Sequence, residues 1–384
     1  MNNDDSVLRQ LLLARIRQNG PLTFARFMEA CLYEPGLGYY TSPGRKVGAE
    51  GDFYTSSNVH ALFGRLLARE ICRMWQELGR PDTFQVVEMG AGGGRLACDI
   101  MDGIRDLEPE LYRTVTYRLI EKEPSLREAQ QALLKEHAAR LAWSSPQELT
   151  TGAVTFTGCL VSNELVDALP AHLVEMTDEG VREVFVTADG EEFREVLAPP
   201  STPALTSYLE RIGATLGTGQ RAEIRLAALD WLTAVANSLE RGFVLTIDYG
   251  YLAQELYGPM RKNGTLLCYY RHTVEENPYI RVGLQDMTAH VDFTTLSRFG
   301  EEVGLSTVWY GEQYRFLMAT GMMQELASLE AGATSEAEAI KDRLALKKLT
   351  LPDGGMGDTF KVLVQAKGVS NPRLLCLGDW ARAL

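Results

Sequence analysis

The segment that most restricts the fold of this 384-residue chain is Val86-Val87-Glu88-Met89-Gly90-Ala91-Gly92-Gly93-Gly94. An apolar run, read as a strand over Phe84–Glu88, enters a glycine turn and then a helical pattern from about Leu96 to Asp106. Glycines allow backbone conformations that a Cβ obstructs and let a ligand come close to the main chain. A strand, a glycine turn and a helix open a β-α-β unit, and the partner strand follows at Tyr117–Ile120. Such units pack as a parallel sheet with helices on both faces.

Around this unit the periodicities predict the rest of the architecture. Residues 6–32 read as two helices broken at Gly20-Pro21, with Thr23 as the second cap. Residues 33–57, rich in Gly, Tyr, Pro and Ser, read as a long loop. Loops of that length in a compact domain are more often functional than idle. Helices are expected at 58–78, 124–140, 204–213 and 221–240, and core strands at 153–162, Gly242–Asp248 and Thr359–Gln365. From 172 to 197 the pattern alternates, with Asp178-Glu179-Gly180 and Asp189-Gly190 as turns, so a small antiparallel meander is inserted there. Residues 319–347 read as a helical insertion. The expected division is an N-terminal helical lobe (1–80), a first core part (81–171), the meander (172–203) and a second core part (204–384).

Composition excludes several functions. Apolar residues form 45% of the chain and charged residues 23%, enough for a substantial core. The net charge of −13 opposes nonspecific binding to a phosphate backbone, so no nucleic-acid partner is expected. Six scattered cysteines without a CxxC pair read as small core residues in a reducing compartment. No HxH or HxxxH pair occurs, and no metal is expected. No apolar run reaches the ~20 residues that span a bilayer. The acidic start MNNDDSVLRQ lacks the pattern of a signal peptide or an intact presequence. A cytoplasmic location follows, or the mitochondrial matrix for a processed form.

Two acids narrow the ligand. Glu88 stands just before the glycines, where a carboxylate suits a cationic amino group and sits awkwardly beside a pyrophosphate. Glu121, ending the next strand, is placed to accept hydrogen bonds from both hydroxyls of a ribose, a feature shared with dinucleotide enzymes. Together they favour S-adenosyl-L-methionine, held by Glu88, Gly90, Gly92, Gly94 and Glu121, with Asn163 beside them. The bland alternatives are a strand-end charge at Glu88 and a helix-start acid at Glu121.

Methyl transfer from a sulfonium is mainly a matter of positioning. For a guanidinium acceptor, a carboxylate grips the planar fork and draws positive charge from the attacking nitrogen. Ser162-Asn163-Glu164-Leu165-Val166-Asp167, after a core strand, supplies Glu164 and Asp167 as candidates, against a capped helix start. Asp248-Tyr249-Gly250 and Asp286 through Phe293 are further polar clusters, and His290 is a candidate proton acceptor. His172 and His272 read as structural. The aromatic run from Tyr39-Tyr40 to Ser56 reads as a cofactor lid or as a packed N-terminal arm.

Several blocks together resemble the MidA family: FMEACLYEPGLGYY with GDFYTSSNVHALFGRLL; VVEMGAGGGRLACDI; LVSNELVDALP; DYGY with GTLLCYYRH and QDMTAHVDFTTL; and GMGDTFKVLVQ. The similarity runs from about residue 21 to 368. It implies a class I, Rossmann-like, seven-stranded α/β methyltransferase fold and S-adenosyl-L-methionine as donor. It also implies an arginine of a protein as acceptor, with symmetric dimethylation of a complex I subunit in the mitochondrial member. Ser57-Asn58-Val59-His60 stands where a Pro-Glu-Ile type continuation is usual, and Ser162 where Ala is frequent. The competing readings are an NAD-linked oxidoreductase, a methyltransferase of small molecules and a noncatalytic binding module.

Overall fold

The computed structural model describes residues 6–42, 60–332, 335–350 and 357–378. The chain forms two compact units. The first comprises Met1–Tyr54, Val166–Asp230 and Gly250–Leu296, and the second Thr55–Leu165, Trp231–Tyr249 and Ser297–Leu384. These boundaries cut across the four segments expected from sequence. Helix Leu62–Glu77 of the expected N-terminal lobe belongs to the second unit, and the meander shares the first unit with 204–230 and 250–296.

In chain order the strands are β1 (Leu22–Thr23), β2 (Gln85–Met89), β3 (Thr116–Ile120), β4 (Leu141–Ser144) and β5 (Phe156–Asn163). Next come β6 (His172–Thr177), β7 (Gly180–Asp189), β8 (Glu192–Ala198), β9 (Arg221–Ile224) and β10 (Leu239–Tyr251). The remainder are β11 (Leu267–Tyr270), β12 (Thr273–Glu275), β13 (Asp286–Thr288), β14 (Val291–Asp292), β15 (Ser306–Glu312) and β16 (Phe360–Lys367).

The second unit carries the expected α/β core, with strand order β15-β16-β10-β5-β2-β3-β4. Strands β4, β3, β2, β5 and β10 run parallel, and β16 lies antiparallel between β10 and β15. Seven strands follow this path, one of them reversed, and an eighth, β14, pairs with the end of β10 at Gly250 and Tyr251. The chain moves outward from β2 to β3 and β4, then returns to place β5 on the other side of β2. Strand order therefore reverses between β2 and β5, and open α/β sheets bind ligands outside the carboxyl ends at such a point. Strand β5 is buried along nearly its whole length, as a central parallel strand must be when both faces are covered. Phe63, Leu67, Ile71 and Trp75 of helix Leu62–Glu77 and Ile100, Met101 and Ile104 of helix Arg95–Leu107 join its core.

In the first unit the meander is present, with β6–β7 and β7–β8 paired antiparallel, but the sheet has five strands. Strand β1 adds to β7 and β9 to β6. Strand β9 corrects the helix expected at 221–240. Only Leu226–Ser238 is helical, because Arg221-Ala222-Glu223-Ile224 gains hydrogen-bond partners on β6 that sequence periodicity does not reveal. The helix expected at 124–140 ends at Leu133 and continues as a 3-10 turn over Lys135–Arg140. The 319–347 insertion is helical, as Met322–Gly332 and Glu336–Thr350. All six cysteines are free, and five are buried. Among the described residues no helix is long and apolar enough to cross a membrane.

Candidate active site

In the second unit the carboxyl end of β2 turns through Gly90, Gly92 and Gly94, all left-handed at φ 83°, 50° and 85°. Gly94 opens helix Arg95–Leu107 with no side-chain cap. A Cβ built on Gly92 or Gly93 meets nothing within 4 Å, so the loop borders open space there. On its other side the loop is anchored. Gln130, fully buried on helix Pro124–Leu133, donates from Nε2 to the Gly92 carbonyl at 2.8 Å and accepts from Trp143 Nε1 at 2.9 Å. In the sequence neither Gln130 nor Trp143 stands out, since a glutamine in a polar helix carries no distinguishing signal.

Glu121 follows β3. Its Oε1 accepts the backbone N–H groups of Lys122 and Glu123 at 2.8 and 2.9 Å, and Oε2 carries no hydrogen bond among the described residues. One oxygen is thus fixed by the turn while the other is available to hydroxyl donors. Burial raises the Glu121 carboxyl, and the two N–H groups pull it back. Glu88 is not a strand-end surface charge: it lies within β2, buried, with Oε2 accepting from the Tyr117 hydroxyl at 2.7 Å. Burial pushes its carboxyl up to about 7, against the lowering effect of Tyr117. A buried carboxyl so raised suits a cationic group, which would restore its charge.

The Glu88 shift predicts a pH dependence of stability. The unfolded carboxyl titrates near 4.3, so between roughly pH 4.5 and 7 the folded chain holds a proton that the unfolded chain has lost. Stability therefore falls as pH rises through that window, by on the order of 3 kcal/mol for this group. Glu88→Gln is expected to flatten the decline and gain relative to the wild type at pH 8. Urea midpoints at pH 5, 6, 7 and 8 without added ligand check this, and parallel curves for the two proteins would contradict it.

Adjacent β5 ends in Ser162 and Asn163, followed by Glu164. Glu164 adopts φ 53°, a left-handed conformation that costs a non-glycine residue of order 1–3 kcal/mol and tends to cluster at functional sites. Its N–H donates to the Ile247 carbonyl at 2.9 Å, and its Oε1 accepts from Asn163 Nδ2 at 3.0 Å. Leu165, the next residue, lies 3.1 Å from a Cβ built on Gly90, so this turn sits against the glycine loop. Ser162 Oγ, Asn163 Oδ1 and, on β10, Thr246 Oγ1 are buried without a hydrogen-bond partner among the described residues. Unmet polar groups of this kind point to a ligand or to water at this end of the sheet. Asp248, on β10, is buried, and its Oδ1 accepts from the Tyr249 N–H.

The structure thus brings Glu88, Gly90, Gly92, Gly94, Glu121, Asn163 and Glu164 to the carboxyl ends of β2, β3 and β5. Asp167 and His290 belong to the first unit. There the Ala289 N–H donates to the Asp167 carbonyl at 3.2 Å, and the His290 ring lies 5.2 Å from that of Tyr251. Asp292 is structural, capping helix Phe293–Glu302 through the Thr294 and Thr295 N–H groups. His172 is structural too, bonded to buried Glu183 at 2.7 Å. Tyr39 is fully buried in the first unit's core, which matches the packed-arm alternative for that end of the aromatic run; residues 43–59 lie outside the described residues. Apart from these groups, Cys98, Asp102 and His137 hold ligand-capable atoms within 4.8 Å of one another. Arg105 pairs with Asp102 at 2.5 Å, and the Tyr112 hydroxyl lies 2.8 Å from His137 Nδ1, so ordinary polar contacts account for the cluster.

Comparison with known proteins agrees with this geometry. A family model described as an S-adenosyl-L-methionine-dependent methyltransferase matches residues 66–311. The protein arginine methyltransferase NDUFAF7 homolog, mitochondrial, of Drosophila melanogaster is 29% identical over 389 residues, spanning 94% of this chain and 85% of the relative. Protein arginine methyltransferase NDUFAF7, mitochondrial, of Bos taurus is 31% identical over 347 residues, spanning 84% and 75%. A COG1565 superfamily member from Burkholderia thailandensis, solved with S-adenosyl-homocysteine, superposes with a TM-score of 0.86 at 31% identity, covering 98% of this chain and 96% of that one. A parallel sheet with one reversed strand, a left-handed glycine loop at its switch point and relatives matched along most of the chain lead to one assignment: the chain belongs to the S-adenosyl-L-methionine-dependent methyltransferase family.

Proposed function

We propose that this protein transfers a methyl group from S-adenosyl-L-methionine to a guanidinium nitrogen of an arginine side chain in a protein substrate. The observation that carries this reading is Glu164, a carboxylate on a left-handed backbone whose turn packs against the glycine loop. The arginine relatives support the acceptor class. The bound donor supplies an electrophilic methyl group on a sulfonium. Glu121 Oε2 takes the ribose hydroxyls, Glu88 faces the amino group, and the open side of the loop at Gly92 and Gly93 lets the donor approach the main chain, with Gly90 and Gly94 setting the turn. Asn163 steadies Glu164 through Oε1, and Glu164 aligns the planar guanidinium and draws positive charge from the attacking nitrogen. For the first unit the proposal assigns Asp167 as a carboxylate and His290 as a proton acceptor for the substrate arginine. Symmetric dimethylation of a respiratory complex I subunit is the finer form of this proposal. The named relatives are mitochondrial proteins, and a cytoplasmic location has no support among them.

The test uses the proteome of cells lacking the gene as acceptor, isotopically labelled S-adenosylmethionine as donor, and mass spectrometry of methylated residues. Label on arginine with the wild-type protein is the expected result. Label on small molecules alone would replace the arginine reading with a small-molecule one. For the donor side, Glu121→Ala is expected to weaken S-adenosylhomocysteine binding by about 1.5–3 kcal/mol, since hydrogen bonds to a charged acceptor are worth that much. Glu121→Gln should lose less. Equal calorimetric affinities for all three proteins would return Glu121 to a purely turn-forming role.

A further inference from the structure

Arg225 stands one residue beyond β9 in the first unit and is only 4% exposed. Its Nε donates to the Leu169 carbonyl at 2.9 Å and Nη1 to the His290 carbonyl at 3.3 Å. Its Nη2 donates to the carbonyls of Asp167 at 2.9 Å and Ala289 at 3.0 Å. A guanidinium has five N–H donors in a rigid plane. Here four hydrogen bonds from that plane end on main-chain oxygens of two segments more than a hundred residues apart in sequence. Buried guanidinium groups usually face a carboxylate that offsets their desolvation. These four partners are neutral carbonyls, and what they define is the spacing of the two segments.

Neighbouring groups tighten the same junction. Glu223, two residues earlier and also buried, accepts from the N–H groups of Thr265 and Leu266 and from the Thr265 hydroxyl. Thr265 Oγ1 in turn accepts from the His290 N–H at 3.0 Å. On the other segment the Tyr33 hydroxyl donates to the Ala168 carbonyl at 3.1 Å. The backbone around Asp167 and the backbone around His290 are therefore fastened to one end of β9, mainly through a single side chain.

We propose that Arg225 is a positioning residue for methyl transfer, holding the segments that bear Asp167 and His290 as one rigid pair. This rests on the reading that those two residues serve the acceptor side. The test compares the full-length wild type with Arg225→Met and Arg225→Lys by hydrogen exchange, calorimetry with S-adenosylhomocysteine, and steady-state arginine methylation of the gene-deleted proteome. In Arg225→Met, amides of 167–171 and 288–291 are expected to exchange about tenfold faster while β2 and β5 are unchanged. S-Adenosylhomocysteine affinity stays within about twofold, and the turnover rate falls about tenfold or more with little change in apparent KM, as expected when the groups that handle the acceptor lose their alignment. Arg225→Lys, which keeps the charge and reaches fewer carbonyls, recovers part of both effects and covers the case in which the methionine variant does not fold.

Unchanged exchange in either segment overturns the proposal, as does faster exchange with normal turnover. Loss of cofactor affinity in step with turnover also overturns it, because that marks general unfolding. A wild-type protein that labels no arginine sinks the functional reading instead, and the exchange result then still decides whether Arg225 is the clamp.

Discussion

Glu164→Gln is expected to lower the rate of arginine methylation by ~10²-fold or more while S-adenosylhomocysteine affinity stays nearly normal. The effect size is that of losing one preorganised electrostatic group from a reaction centre. The substitution keeps side-chain volume and an amide oxygen that can accept from Asn163 Nδ2, so the turn and its left-handed backbone are preserved. Only the charge is removed, the property to which the proposed role of Glu164 is assigned. Methyl incorporation and cofactor titration on the same preparations check this. A wild-type rate would reduce Glu164 to a turn-forming acid, and lost cofactor binding would move it to the donor side. Asp167→Asn is the comparison, with a smaller cost expected.

Gly158→Ala is expected to have the largest effect on stability, about 3–5 kcal/mol, from overpacking and backbone strain together. Gly158 lies in β5 at φ 153°, and a Cβ there would be 1.9 Å from the Gln85 carbonyl oxygen of β2. Its partner across the next pair, Gly242 of β10, has a Cβ position 1.9 Å from the Gly158 carbonyl oxygen. Neither obstruction is the end of a flexible side chain. Strands β2 and β5, in the middle of the sheet, would have to separate, and a folded domain is stable by only ~5–15 kcal/mol. Gly152→Ala is the control: φ is 71°, but nothing lies within 4 Å of the added carbon, so strain alone acts. Denaturant unfolding of the three proteins decides the matter, and equal losses for the two variants would show that strand crowding is not the cause.

Local chemistry in the sequence determined the glycine turn at the carboxyl end of β2. A strand running into Gly90, Gly92 and Gly94, with Glu88 ahead and Glu121 after the next strand, is a local pattern because each residue's conformation depends on its immediate neighbours. The β6–β7–β8 meander was legible for the same reason, since its turns lie within the alternating run. Tertiary structure decided what depends on partners distant in the chain. Arg221-Ala222-Glu223-Ile224 reads as helix until β6 offers it hydrogen bonds, and β15 exists because β16 lies beside it. Glu88 reads from sequence as a ligand-facing acid with a strand-end charge as the alternative, and only the fold, through burial and the Tyr117 hydroxyl of the neighbouring strand, decides against that alternative. Gln130 and Arg225 are polar residues in ordinary helical patterns, and only the fold brings the Gly92 carbonyl to one and four distant carbonyls to the other. Periodicity records which face of an element is apolar; it carries no record of which far segment will supply the hydrogen-bond partner. Buried polar groups must find such partners, and so the anchoring residues appeared only once the chain was folded.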